Sequence, residues 1–324
     1  MENTFRVTKK ALRIIKNEQY HELEEAKRIL TRIGKFDLER FLSTNSQIEL
    51  PYTETPELSI IIVLYNKAEL TLSCLYSILR SQVNSYEIVI VDNNSTDETS
   101  LLLSRIKGAK IIQNPENLHF LLACNQASRA ASGSYLLFLN NDTQVLADSI
   151  NSSLRTIKTS EDIGAVGGKI ILPNGTLQEA GSIIWQDGSC FAYGIGDEPF
   201  APEYMFMRDV DYCSGAFFLT KRELFIDMGG FDEDYKPAYY EETDYCVRLW
   251  KTGKRVVYDP NVVLLHIGSA SAVSKKDPML LQIKNRAIFV EKHKDWLESH
   301  YPASERNILK ASRRQETKKF LNNP

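Results

Sequence analysis

The sequence predicts an α/β fold: a mostly parallel sheet flanked by helices, a mixed sheet-and-loop half after it and a helical appendage before it. Three observations carry this reading. The apolar, β-branched runs LSIIIVL (58–64), YEIVIVD (86–92) and YLLFLN (135–140) lack the alternation of a half-wet strand, which suits parallel strands covered on both faces. Stretches of helical periodicity separate them, and a strand-helix-strand series implies right-handed crossovers within one sheet. Each run also stops at a polar set, namely Tyr65-Asn66, Asp92-Asn93-Asn94 and Asn140-Asn141-Asp142. All three sets then lie at one sheet edge, where ligand crevices of open α/β sheets form.

With 324 residues, 43% hydrophobic and 25% charged, the chain has material for one large domain or two modest ones, each with a proper core. The net charge of -3 supplies no global drive toward nucleic acid, and no such partner is expected. Cys74, Cys124, Cys190, Cys213 and Cys246 are odd in number, widely spaced and free of any C-x-x-C pair, so they read as core thiols of a reducing compartment. No basic-then-apolar leader opens the chain, and the apolar run around Ile60 to Leu64 is far below the ~20 residues of a membrane helix. A cytoplasmic location is expected.

Taken in order, residues 8 to 33 place Leu12, Ile15, Leu23, Ala26, Leu30 and Ile33 near three- and four-residue steps, as in an amphipathic helix. Three roles are open to it: packing on the main domain, which is the default, pairing in a homodimer, or peripheral contact with an anionic membrane at the inner face of the plasma membrane through Lys9, Lys10, Arg13 and Lys16. Polar residues 43 to 57, with Pro51 and Pro56, read as a linker. Residues 1–50 are thus an appendage and linker, and the main domain opens near 57.

A helix is predicted over Ala68 to Ser81, and Ser95, Thr96 or Asp97 is placed to cap another that carries Leu101 to Leu103. A short strand at Lys110 to Gln113 and a helix at Leu121 to Ala131 complete the series. Residues 164 to 220 alternate short apolar runs with Gly, Asn and Asp turns, the kind of half that shapes a second substrate's pocket. Gly229-Gly230 ends a helix, Tyr235 to Tyr240 form an aromatic loop, and Glu241 to Trp250 read as a helix with Asp244 one turn from Arg248. Short strands at Arg255 to Tyr258 and Val262 to Leu265 lead to His266, and residues 279–324 form a basic helical tail.

Neither a dinucleotide fingerprint nor a P-loop is present, since Gly194-x-Gly196 lacks its third glycine and the strand-to-helix setting. A bound nucleotide must therefore be held by acidic turns and a metal. Asp142, a lone carboxylate beyond a buried strand, either holds a divalent cation or caps the next helix, and these residues alone leave both readings open.

The segments IIIVLYNKAELTLSCLYSIL, VIVDNNSTDET, GSYLLFLNNDT, SGAFFLTKRELFIDMGGFDEDY, YYEETDYCVRLWKTG and VVLLHIGSAS resemble, in this order and spacing, the successive motifs of glycosyltransferase family 2. The likeness is greatest to its rhamnosyltransferase-like bacterial branch and covers roughly residues 57 to 300. It implies a GT-A fold with a nucleotide-binding half over 57–145 and an acceptor-binding half over 146–270. It further implies a UDP- or dTDP-sugar donor, Mg2+ or Mn2+, and inversion at the anomeric carbon by direct displacement. The acceptor would be a glycan or lipid-linked saccharide in surface polysaccharide assembly.

The resemblance also assigns roles. Asp142 corresponds to the metal-holding Asp of the D-x-D motif, and His266 to a strand-end histidine that completes the metal site. Asp92 corresponds to the residue that accepts from the pyrimidine N3-H, with Val63 and Tyr65 lining the base and Asn94, Asn140 and Asn141 in the nucleotide-binding set. A carboxylate must accept the acceptor hydroxyl's proton. Glu241-Glu242 stands where the family has Glu-Asp, which makes Glu242 the first candidate for the base and Asp244 the second, with Glu241 beside them. Asp92 and His266 keep plain structural readings as a helix cap and a strand-end residue.

The chain departs from the pattern at three places. Asn140 replaces the first Asp of D-x-D, Asn117-Leu118-His119-Phe120-Leu121 replaces Asn-x-Gly-Phe-Ala, and Cys124 stands where a basic residue is common. His119 reads as a helix cap in preference to a cation for the diphosphate. These substitutions and Glu242 keep a catalytically silent glycan- or nucleotide-binding domain as an alternative. A nucleotidyltransferase is the other, though Tyr65-Asn66-Lys67 is not the Gly-rich basic loop it calls for.

Overall fold

The computed structural model describes residues 17–51, 53–268 and 278–313. The helical reading of 8–16 with its basic cluster, the final Ser269-Ala270-Ser271 of the HIGSAS motif and the tail past Arg313 lie outside the described residues.

Helix α1 (Asn17–Ser43) runs ten residues beyond the expected Ile33. Gly34 stands inside this helix, and a Cβ there would make only an ordinary contact, 3.4 Å from the Glu69 carbonyl oxygen. Leu23, Leu38 and Phe41 are buried, whereas Ile33, expected on the packed stripe, is 52% exposed beside exposed Ile29 and Phe36. The end of α1 is held by Arg105, whose guanidinium donates to the carbonyls of Phe41, Leu42 and Thr44. The expected linker contains strand β1 (Ile48–Glu49).

The nucleotide-side series follows as β2 (Leu58–Leu64), α2 (Ala68–Arg80), β3 (Tyr86–Asp92), α3 (Thr99–Leu103), β4 (Ile106–Lys107), β5 (Lys110–Gln113), α4 (His119–Ala130) and β6 (Tyr135–Asn140). Strand β4 pairs in parallel with β1, tying the connecting segment to the body. Among the three candidate caps Asp97 is the one used, and it serves two helices. Its Oδ1 accepts from Thr99 N at 3.0 Å at the start of α3, and its Oδ2 accepts from Ala68 N at 3.1 Å at the start of α2.

The second half comprises β7 (Thr143–Val145), α5 (Ser149–Lys158), β8 (Ile163–Ile171), β9 (Leu177–Ala180), β10 (Ser182–Ile184), β11 (Cys190–Ala192), β12 (Arg208–Asp209), β13 (Phe217–Lys221), α6 (Arg222–Asp227), α7 (Glu241–Lys251), β14 (Arg255–His266), α8 (Pro278–Leu297) and α9 (Glu305–Ala311). The main sheet has the order β12-β14-β8-β13-β6-β2-β3-β5, with β7 on β14 and β9 on β8. Strands β6, β2, β3 and β5 are mutually parallel, and β13 enters antiparallel between β6 and β8. Strand β14 is parallel to β8.

The two strands expected over 255–265 form one, interrupted by a register shift between Asp259 and Val263. Pro260 has no N–H to give a ladder, and Asp259 carries the chain across by accepting from Asn261 N at 2.9 Å and Thr156 Oγ1 at 2.6 Å.

Apolar clusters fill both faces of the sheet. Ile60, Ile62, Leu137 and Leu139 lie in one, and Ile61, Val89, Leu136 and Phe138 in the other. The period-two division is why each of these runs is apolar throughout.

Candidate active site

Register brings the strand ends together. Leu64 pairs with Asp92 and Val63 with Asn140, so the polar residues that follow each strand share one edge. Side chains knit them. Asn66 Oδ1 accepts from Thr96 N at 2.7 Å, Asn66 N donates to Ser95 Oγ at 2.7 Å, and Asn141 Nδ2 donates to Thr71 Oγ1 at 3.0 Å. A cavity of about 320 Å³ opens over this edge. Val63, Tyr65, Asn93, Asn117, His119, Phe120, Asn140, Asn141, Asp142 and His266 line it together with Ser214, Gly215, Tyr239, Glu241 and Glu242.

Asp142 and His266 face each other across the cavity floor, with Oδ1 and Nε2 3.2 Å apart and side-chain exposures of 10% and 14%. Their approach is set by the pairing of β14 with β7, in which His266 is opposite Thr143, and by the Ile267 amide, which donates to the Asp142 carbonyl at 2.9 Å. The second imidazole nitrogen, Nδ1, lies 2.9 Å from Gln178 Oε1. A carboxylate oxygen and an imidazole nitrogen fit a divalent cation. Among the described residues no group of three or more His, Cys, Asp or Glu converges on a metal site. Two protein ligands suit Mg2+ or Mn2+, which take substrate phosphates and water for the remainder.

The start of α7 also lines the cavity. Tyr239 and Tyr240 both have left-handed backbone, φ +78° and +75°, and this double turn delivers Glu241 and Glu242 to the cavity at a helix N-terminus, where acidic side chains are favoured. Burial raises the Glu242 carboxyl above its ordinary value, opposed by hydrogen bonds from the backbone amides of Glu242, Gly215 and Thr243. Burial, then the neighbouring Glu242 charge, pushes Glu241 well above its ordinary value, and its Oε2 is buried with no hydrogen-bond partner. Backbone amides of Glu241 and Tyr239 oppose the rise at Glu241 as well, and both carboxyls stay above their ordinary value, Glu241 the further of the two. One amide and one hydroxyl anchor Glu179: Ser214 N donates to its Oε1 at 2.9 Å while Ser182 Oγ donates to Oε2 at 2.9 Å.

A family model described as glycosyl transferase family 2 matches residues 59–229. The chain belongs to glycosyl transferase family 2. Among this family's curated relatives, O-antigen biosynthesis protein RfbC of Myxococcus xanthus is 30% identical over 238 residues, covering 69% of this chain and 18% of RfbC. Poly-beta-1,6-N-acetyl-D-glucosamine synthase of Staphylococcus aureus (strain COL) is 26% identical over 222 residues, 67% of this chain and 52% of the synthase. The chain thus spans about a fifth to a half of the length of these relatives.

Two solved structures share the fold. GalNAc-T7 with UDP, GalNAc and Mn2+ superposes with a TM-score of 0.59 at 17% identity, covering 74% of this chain and 49% of that one. The mannosyltransferase PcManGT from Pyrobaculum calidifontis, in complex with GDP-Man and Mn2+, gives 0.52 at 18% identity, covering 87% and 75%. The family 2 chain therefore has the GT-A fold, as the motif order implies.

Of the site residues expected from the family motifs, the cavity gathers Val63, Tyr65, Asn140, Asn141, Asp142, Glu241, Glu242 and His266. Three are elsewhere. Asp92 is 5% exposed behind the wall, its Oδ1 accepting from Ser95 N at 3.0 Å, and the adjacent Asn93 is the residue that reaches the cavity. Asn94 is exposed on a left-handed turn, φ +64°, outside the cavity lining. Asp244 is 1% exposed and fully engaged: it accepts from Arg248 Nε at 2.6 Å, His293 Nε2 at 2.7 Å and Tyr235 OH at 3.0 Å. Burial opposes its charge, but His293 and Arg248 overcome this and hold the carboxyl below its ordinary value. This carboxylate lies outside the cavity lining and ties α7 to Tyr235 and to His293 of α8.

His119 makes no side-chain cap. It begins α4 with φ +59° and it lines the cavity, with its carbonyl accepting from Asn93 Nδ2 at 3.1 Å. Asn93, Asn117 and Ser214 line the cavity although the sequence, which placed them in its polar sets and motifs, assigned them no role, and Gln178, against His266, is not singled out at all. Nothing in local periodicity marks them, because each reaches the site through a loop or a distant strand.

Proposed function

We propose that this protein transfers a sugar from a UDP- or dTDP-sugar, with Mg2+ or Mn2+, to a hydroxyl of a glycan or lipid-linked saccharide in surface polysaccharide assembly. The observation that carries the reading is one cavity lined by Asp142, His266 and Glu242. Displacement at an anomeric carbon needs charge stabilisation at the leaving diphosphate and a base on the attacking side. These groups supply the two separately.

Asp142 and His266 would hold the cation, which supplies Lewis-acid stabilisation of the leaving diphosphate when bound. Val63 and Tyr65 would flank the base, and Asp92, next to the cavity-lining Asn93, remains the candidate partner of its N3-H edge. Asn140 keeps a hydrogen bond to the ribose where a carboxylate is usual. Glu242 takes the proton from the acceptor hydroxyl as it attacks, and its raised affinity for protons suits that task. Inversion follows from a single displacement. The bacterial O-antigen and polysaccharide relatives support the acceptor class.

The test is a thermal-shift and turnover series with UDP- and dTDP-sugars, with and without Mn2+. Saturating donor should stabilise the protein by a few kcal/mol. Asp142→Ala should lose the metal-dependent part of that shift, and Glu242→Gln should keep it while losing transfer. Near-normal turnover in both variants would sink the assignment.

A further inference from the structure

His266 offers its two ring nitrogens to two different partners, and only one of them belongs to the metal pair. Nε2 points toward Asp142 Oδ1 at 3.2 Å, whereas Nδ1 meets the side-chain amide of Gln178 at 2.9 Å. Gln178 is held in place from both sides of its own strand. Its neighbours Leu177 and Glu179 are buried, and Glu179 is anchored by Ser182 and Ser214. Strand β9 lies on β8, with Glu179 opposite Ile170, and β8 carries β14 on its other edge, with Leu265 opposite Ile171. Two strand pairings thus bring residues 88 positions apart into contact.

We propose that Gln178 is a positioning residue for the cation, acting through His266, an inference that rests on the metal reading given above. A neutral imidazole carries one N–H and one lone pair, and a metal takes the lone pair. The Gln178 side-chain carbonyl accepts from Nδ1–H, which places the lone pair on Nε2, the nitrogen that faces Asp142. The same hydrogen bond fixes the ring's rotation, so the second ligand is oriented before the cation arrives. An acceptor behind a ligating histidine is worth about ten- to a hundredfold in metal affinity where it has been removed.

Mn2+ binding in the presence of UDP, followed by the loss of the free-ion EPR signal, tests the proposal on the full chain. Gln178→Leu should weaken Mn2+ by about tenfold or more, and Gln178→Glu, which keeps the acceptor oxygen, should restore it. In a His266→Ala background Gln178→Leu should change nothing further, because the residue acts only through that ring. Equal losses in both backgrounds, or no loss in the wild-type background, would overturn the proposal.

A metal-free measurement separates this inference from the reading beneath it. In an Asp142→Ala background, which removes the carboxylate that competes for the proton at Nε2, long-range proton-nitrogen NMR of the imidazole should show His266 with its proton on Nδ1 and a changed tautomer balance when Gln178→Leu is added. A proton on Nε2 overturns the role of Gln178 whatever Mn2+ does. An Nδ1 proton in that background but no Mn2+ uptake by the wild-type protein instead overturns the metal reading and, with it, the proposal.

Discussion

Asn125 and Phe231 exchange a complete pair of hydrogen bonds: Asn125 Nδ2 donates to the Phe231 carbonyl at 2.7 Å, and the Phe231 amide donates to Asn125 Oδ1 at 2.9 Å. The two residues are 106 positions apart, one on α4 beside the nucleotide edge and the other at the turn that leads to the Tyr239-Tyr240 loop. Gly230 is required at this joint, since its φ is +75° and a Cβ would lie 2.6 Å from Asn125 Oδ1. Replacing Asn125 by Ala strands both Phe231 backbone groups in a buried setting. The cost should be about 2–4 kcal/mol, a fall in Tm on the order of 10 °C by circular dichroism.

Glu242 and Asp244 are two residues apart and should behave oppositely. Glu242→Gln leaves the fold and donor binding intact and removes turnover, measured by nucleotide release. Asp244→Asn breaks a buried pair with Arg248 and His293 and should cost about 3 kcal/mol of stability by chemical denaturation, while folded molecules still bind nucleotide. Because the Asp244 carboxyl is held below its ordinary value, its contribution is complete above that value and is lost as pH falls through the folded one. The stability gap between variant and wild type should therefore close in acid.

Glu179 supplies a pH signature of the other sign. Burial lifts its carboxyl from an ordinary 4.5 to about 7, so between these values the folded protein binds a proton that the unfolded chain has lost. Stability from this group is then greatest below 4.5 and declines as pH rises to about 7. Glu179→Gln cannot ionise. Its stability relative to wild type should improve by roughly 3 kcal/mol from pH 5 to pH 8, read from urea denaturation at each pH.

Asn285 holds the base loop from α8, its side-chain amide donating to the carbonyls of Tyr235, Ala238 and Tyr239 at 2.8, 2.9 and 2.9 Å. Left-handed tyrosines persist only where their surroundings over-determine them. Asn285→Ala should release the turn before Glu241 and lower kcat by about a hundredfold, the scale of a 1 Å misplacement. Nucleotide affinity, which depends on the strand-end residues, should change little. Steady-state kinetics with calorimetry of UDP binding separate the two effects.

The sequence by itself determined the sheet that carries the site. Runs 58–64 and 86–92 coincide with β2 and β3, because continuous burial on two faces writes itself into every residue of a strand. The polar residues after β2, β3 and β6 followed from the same logic, and motif order brought Asp142, His266 and Glu242 into view before any contact was known. Tertiary structure decided the rest. The helix expected to end at Ile33 runs on to Ser43, and the two strands expected over 255–265 become one once Asp259 is seen to carry the chain across a register shift. Asp244 and Glu242 look alike along α7, and only Arg248, His293 and Tyr235 draw one into the core while the amides of Gly215 and Thr243 support the other at the cavity. Gln178 carries no local signal at all. Periodicity encodes which face of an element is buried, whereas the partner of a polar side chain is fixed by elements that meet only once the chain has folded.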